Sequence, residues 1–135
     1  MIVARGGNYL LNIAPNALGE WDSIAYQRLN EIGDWMQVNS QAIYETHPVY
    51  PYEQQTEFGT WVFTENNEKT IFAIFIPNDK INIAKLNLDL SVFRDPSFKQ
   101  IEKLGEIDHE HIKINKNQIL IDFNFQELPI VLKLN

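Results

Sequence analysis

The sequence predicts a mainly β protein with one βα unit at its N-terminus. Three observations carry this reading. Residues 56–135 hold six or seven short runs of alternating or β-branched residues, separated by turn clusters, which argue for an antiparallel β-sandwich. A single amphipathic repeat of period 3.6 stands before them. Ahead of that repeat lies a nearly continuous apolar run, Tyr9-Leu10-Leu11-Asn12-Ile13, the pattern of a strand buried on both faces.

Taken in order, Gly6-Gly7 punctuates the start, the strand 9–13 follows, and Pro15 ends it. Asp22 or Ser23 can cap a helix by accepting from its free N–H groups. Ala25, Leu29, Ile32 and Met36 then step by four, three and four, with Trp35 beside the seam and Glu31 and Asp34 nearer the solvated side. Asn39 is the C-terminal stop, and Ala42-Ile43-Tyr44 adds a further turn. Pro48 and Pro51 mark residues 49–55 as an extended connector. Beyond it, strands are expected at Thr60–Thr64, Thr70–Ile76, Ile81–Leu90, Gln100–Leu104, His111–Ile114, Gln118–Phe123 and Ile130–Leu134. Glu65-Asn66-Asn67-Glu68 and Asn115-Lys116-Asn117 supply hairpin turns. The pairs Trp61/Phe63, Ile81/Ile83, Ile112/Ile114 and Ile119/Ile121 should point into one interior.

Composition narrows the function classes. At 135 residues and 44% hydrophobic, the chain is of globular type and long enough for a core. No apolar run approaches the length of a membrane span, and no signal peptide is visible after Met1. Eleven Lys and Arg against 18 Asp and Glu, a net charge of −7, disfavour a nucleic-acid partner. The absence of cysteine excludes disulfides, thiolate metal sites and cysteine nucleophiles, and leaves the compartment unassigned.

Few residues carry chemistry by pattern. Glu31 and Asp34 share a helix face, and a solvated ionic face accounts for them. Asp108-His109-Glu110-His111 could place two imidazoles on one side of a strand, but a polar loop entering a strand explains the run without a metal. His47 reads as a surface residue before Pro48. Tyr50, Tyr52, Trp61 and Phe63 could stack on a sugar. The alternative places Trp61 and Phe63 in the core and uses Tyr50 and Tyr52 to pack the helix on the sandwich. Trp21 and Trp35 are expected to be buried against the same helix. No serine-nucleophile elbow or phosphate loop is present.

Gly7-Asn8-Tyr9-Leu10-Leu11-Asn12-Ile13-Ala14-Pro15 resembles the Gly-Asn-Leu-Leu-Leu-Asn-Ile-Gly-Pro stretch of the α-L-fucosidases of glycoside hydrolase family 29. Arg28-Leu29, Ile32-Gly33-Asp34-Trp35, Val38-Asn39, Ala42-Ile43-Tyr44 and Thr46 resemble that family's RL..IG.WL.VNGEAIYGT pattern, with Pro48 after it. Leu104-Gly105 and Pro129 to Leu134 resemble its closing strands. Ala14 and Ser40 stand where the family commonly carries glycine. The resemblance implies a C-terminal part: residues 1–48 as the last strand and helix of a (β/α)₈-like barrel, 49–55 as connector, and 56–135 as the C-terminal sandwich. Such a barrel alone takes about 250 residues.

The implied parent reaction is retaining hydrolysis of terminal α-L-fucose. Its nucleophile and acid/base lie upstream in the family, so no residue here inherits a catalytic, cofactor or metal role, and no activity is expected of the chain alone. The alternatives are a free-standing carbohydrate-binding sandwich and an interaction module. The apolar strand edge and helix seam should seek a partner, foremost a second copy in a twofold dimer that pairs residues 9–13 or packs the helix seams, with the missing barrel portion as the other candidate; the competing outcome is a helix folded back onto the sandwich, and a glycan is a further candidate ligand.

Overall fold

The computed structural model describes residues 2–78, 85–105, 112–122 and 129–135. The described residues hold one α-helix, α1 (Ser23–Asn39), and eight strands: β1 (Thr46–Gln55), β2 (Gly59–Asn66), β3 (Ile71–Pro77), β4 (Lys85–Asp89), β5 (Ile101–Lys103), β6 (Ile112–Asn115), β7 (Gln118–Asp122) and β8 (Val131–Leu134). The strands form two antiparallel sheets, of order β1-β2-β3-β8-β5 and β4-β7-β6. The mainly β class with one helix and the sandwich read from the sequence are therefore present.

Alternation along β2 and β3 explains how the larger sheet is covered on both faces. Trp61, Phe63, Ala73 and Phe75 face the smaller sheet and meet Leu86, Leu88, Ile119 and Ile121 in one cluster. The intervening Val62, Phe72 and Ile74 point the other way, with Val131, into a second cluster closed by Ala4 and Ala42 and flanked by Trp35 and Ile43. The outer face is thus roofed by the 3₁₀ turn Val3–Arg5 and by the 3₁₀ turn Ser40–Ala42 that continues α1. A sheet hydrophobic on both sides needs a layer on each, and this one has it.

Local chemistry fixes the joints. Asp22 caps α1, its carboxylate accepting from the Ala25 N–H at 2.7 Å. In the β2–β3 hairpin the Asn66 side-chain oxygen accepts from the Glu68 and Thr70 N–H groups, both at 3.0 Å. The predicted turn at 115–117 joins β6 to β7, with Asn115 opposite Gln118. At Gly59 a Cβ would collide with the Ile76 carbonyl, so only glycine lets β2 begin this close to β3.

Several expectations need correction. Residues 9–13 form no strand and are largely exposed, Leu10 to 81%. A doubly buried strand needs a ladder partner on each edge, and the described residues of this chain supply none. Residues 49–55 are not a free connector but most of β1, paired with β2 at the sheet edge, with a register shift between Pro48 and Glu53. Prolines are tolerated there because an edge strand leaves one side of its backbone unpaired. Ile112 packs against the core while Ile114 is 58% exposed, because β6 is the outer strand of the smaller sheet. Ile81, Ile83 and Phe123 lie outside the described residues.

Candidate functional site

Most of the exposed large apolar side chains among the described residues lie in the first 45. Ile2, Tyr9, Leu10, Leu11, Leu18, Trp21, Ile24, Tyr26 and Ile32 are all exposed. On the seam of α1, Ala25, Leu29 and Met36 are only half-buried and Ile32 remains 48% exposed. Between the segment after Gly7 and this seam runs a groove of about 540 Å³, lined by Tyr9, Leu11, Ile32, Met36 and Ile43.

The helix itself is anchored from its other side. The Trp35 indole N–H donates to the Pro129 carbonyl at 2.8 Å, and the Asn39 side-chain amide donates to the Trp35 carbonyl at 3.0 Å. The Thr64 hydroxyl donates to the Ala42 carbonyl at 2.8 Å, tying the turn after α1 to β2. Trp35 is a packing residue as expected, although half-buried. Trp21 is not: it is 40% exposed and touches only the Tyr26 ring among the described aromatic residues, centroids 5.6 Å apart.

The candidate carboxylates behave as surface groups. Glu31 accepts from Arg28 at 2.6 Å and from Gln27 at 2.8 Å, which holds its carboxyl below the usual range. Such a group stays ionised and is unsuited to donating a proton at neutral pH. Glu53 is held down in the same way, first by Arg5 at 2.7 Å and then by Gln55. Asp34 is exposed on the same helix. His47 pairs with Glu65 across β1 and β2 at 2.9 Å, and Lys69 reaches the same carboxylate oxygen at 3.2 Å. Asp108, Glu110 and the imidazoles of His109 and His111 lie outside the described residues. Among the described residues no group of three or more His, Asp or Glu gathers as a metal site.

The aromatic residues separate into two sets. Trp61 and Phe63 are core, fully buried, with the Trp61 N–H donating to the Asn87 carbonyl at 2.8 Å. Their rings meet Phe75 and Phe93, respectively. Tyr50 and Tyr52 do not pack the helix on the sandwich: they stand out from β1, Tyr50 80% exposed, edge to face at 6.1 Å. The 3₁₀ turn Val3–Arg5, which roofs the outer sheet face, was not expected; three residues show no periodicity, and only the small apolar Ala4 hints at it.

Known proteins resemble this arrangement. The model of the family described as Alpha-L-fucosidase matches residues 1–41. The plasma α-L-fucosidase of Homo sapiens is 36% identical over 74 residues, covering 55% of this chain and 16% of that protein. The tissue α-L-fucosidase of Mus musculus is 38% identical over 74 residues, with the same coverage. Among solved structures, the Thermotoga maritima α-fucosidase superposes over 99% of this chain and 32% of its own, with a TM-score of 0.73 at 21% identity. The α-L-fucosidase isoenzyme 1 of Paenibacillus thiaminolyticus does so over 99% and 32%, with a TM-score of 0.69 at 23% identity. At these identities the structures speak for the fold. The chain spans 16% of the length of those curated relatives and about a third of the solved ones. Motif, relatives and fold point the same way: the chain is similar to α-L-fucosidases over part of their length, and its fold matches that of their C-terminal region.

Proposed function

We propose that this chain is the sandwich-bearing part of an α-L-fucosidase-like retaining glycoside hydrolase whose parent reaction releases terminal α-L-fucose from glycans, and that it is not catalytic alone. The observation that carries this reading is the exposed apolar face of residues 9–13 and α1, set beside a well-packed sandwich. That face joins an extended apolar segment to an apolar helix seam, as the closing unit of a barrel would, and the relatives it matches are several times longer. A retaining mechanism needs two carboxyl groups about 5–5.5 Å apart, one of them protonated. Glu31 and Glu53, with their guanidinium partners, are held in the opposite state.

The partner of this face is a barrel-bearing polypeptide rather than a second copy. Glu20, Asp22, Glu31, Asp34 and Glu45 stand against Arg5 and Arg28 in the first 45 residues. A twofold dimer would bring this acidic surplus against itself, whereas a barrel with a neutral or basic underside would not. Incubation of the purified chain with an aryl α-L-fucoside tests the activity, with a full-length family member as positive control. No release of the phenol above the buffer rate is expected. Turnover that disappears on substitution of one of this chain's own carboxylates would overturn the proposal. Sedimentation at micromolar concentration separates the barrel partner from self-association: a tight dimer that persists at high salt would point to the second copy.

A further inference from the structure

A cleft of about 450 Å³ opens where the turn after α1 meets the β2–β3 hairpin. Ser40, Gln41, Tyr44 and Glu45 form one wall, and Asn66, Asn67 and Glu68 the other. Both walls are fixed from behind, by the Thr64 to Ala42 hydrogen bond and by the two bonds that Asn66 accepts inside the hairpin. We propose that this cleft binds a neutral pyranose, with the Tyr44 ring as the stacking surface. Tyr44 and Glu45 also border the groove beside Tyr9 and Leu11, so the inference concerns the chain by itself, with no partner seated on that groove.

The chemistry of the walls selects the ligand class. Tyr44 is 66% exposed, so its ring face is available to the C–H face of a sugar. Around it stand two carboxylates, a hydroxyl and three carboxamides, of which that of Asn66 is held in the hairpin; the others can accept from and donate to adjacent sugar hydroxyls. Among the described residues, the side chains of Gln41, Tyr44, Glu45, Asn67 and Glu68 make no hydrogen bond or ion pair of their own, so these groups are free to take a ligand. The volume is in the range of small-molecule sites and exceeds what a single cation needs. Glu45 and Glu68 make the cleft acidic, which repels uronates, sialic acids and phosphates.

The backbone adds an independent sign. Glu45 has φ 57°, a left-handed conformation that costs a non-glycine residue stability. The family motif quoted above has glycine at this position, which would remove the strain and also the carboxylate. Here the strain is kept, and with it a carboxylate on a residue that lines the cleft.

Saturation-transfer NMR on the intact 135-residue chain tests the proposal. The probes are methyl α-L-fucopyranoside, methyl β-D-galactopyranoside and D-glucuronate, each at tens of millimolar with EDTA present. At least one neutral glycoside is expected to receive saturation, with glucuronate silent. Tyr44→Ala, at an exposed position, should weaken binding about tenfold. Glu45→Gly should weaken binding while raising the thermal midpoint by a few degrees, a combination that a purely structural role for Glu45 does not give. The proposal is overturned if neither neutral glycoside binds, if Tyr44→Ala leaves binding unchanged, if glucuronate binds as well, or if binding appears only on addition of calcium chloride.

Discussion

Replacement of Phe72 by alanine probes the least expected feature of the fold, the covered outer face of the larger sheet. Phe72 sits on β3 opposite Thr64, with 0% exposure, and packs with Val62, Ile74, Val131, Ala4 and Ala42. In a sandwich whose outer face met water, this ring would be exposed and its truncation would cost under about 0.5 kcal/mol. Buried as it is, Phe72→Ala should cost about 3–5 kcal/mol, the loss of transfer energy plus a cavity that a sheet floor cannot collapse. For a chain of this length the whole stability is on the order of 7–20 kcal/mol, so the effect is a large share of the total. Urea unfolding followed by tryptophan fluorescence measures it. With a slope of about 2 kcal/mol per molar, the midpoint should fall by roughly 2 M at unchanged slope. Phe63→Ala, on the inner face, is the reference and should lose a similar amount. A Phe72→Ala loss below about 0.5 kcal/mol, with the Phe63→Ala loss intact, would refute the roof formed by residues 3–5 and 40–42.

Three further outcomes follow from single contacts. Trp61→Phe keeps the ring but strands the Asn87 carbonyl, and should cost about 1–2 kcal/mol in the same urea assay. Asp22→Ala removes the cap of α1 and should cost about 1 kcal/mol, with Asp22→Asn nearly neutral. Glu31 and Glu53 have folded pKa values below the ordinary one. Their stabilising effect is therefore present above pH about 4.3 and fades as pH falls through the lowered values. A carboxyl-detected NMR titration should show Glu53 midpoint rising toward the ordinary value in Arg5→Gln, and an unchanged midpoint in that variant would contradict the pairing.

What could be read from the sequence was what neighbouring residues determine. The helix was legible because a cap at Asp22 and a 3.6-residue period both lie within its own span. Strands β2, β3, β4 and β7 were legible because alternation or β-branched density marks them and turn residues bound them. The misreadings share a cause: each depended on what lies across from the residue. Tyr9 to Ile13 carries the composition of a buried strand, but burial requires flanking strands that the described residues do not contain. Pro48 and Pro51 suggested a connector, yet an edge strand can hold both. Ile112 and Ile114 alternate correctly, but only a central strand hides both the members of such a pair. In the candidate cleft, Glu45 looks like one acid among many; only its left-handed backbone and its position opposite Asn67 and Glu68 set it apart.

Helix α1 links the fold to the function because it has two stripes that need cover rather than one. Trp35 and Asn39, four residues apart, face the sandwich: one bonds to Pro129, and the other lies buried on the Trp35 carbonyl. Ile32 and Met36, also four apart, face the groove beside Tyr9 and Leu11. Residues 35 and 36 differ by about 100° around the helix axis, so the two stripes cannot be covered by the same layer. A helix at the edge of a self-sufficient domain would need only the first stripe, with polar residues elsewhere. The second stripe has no use in the described sandwich, whose two hydrophobic clusters are already closed without it. Under the proposed function, this second stripe is the surface that meets the barrel-bearing partner, while the first fixes the helix to the sandwich.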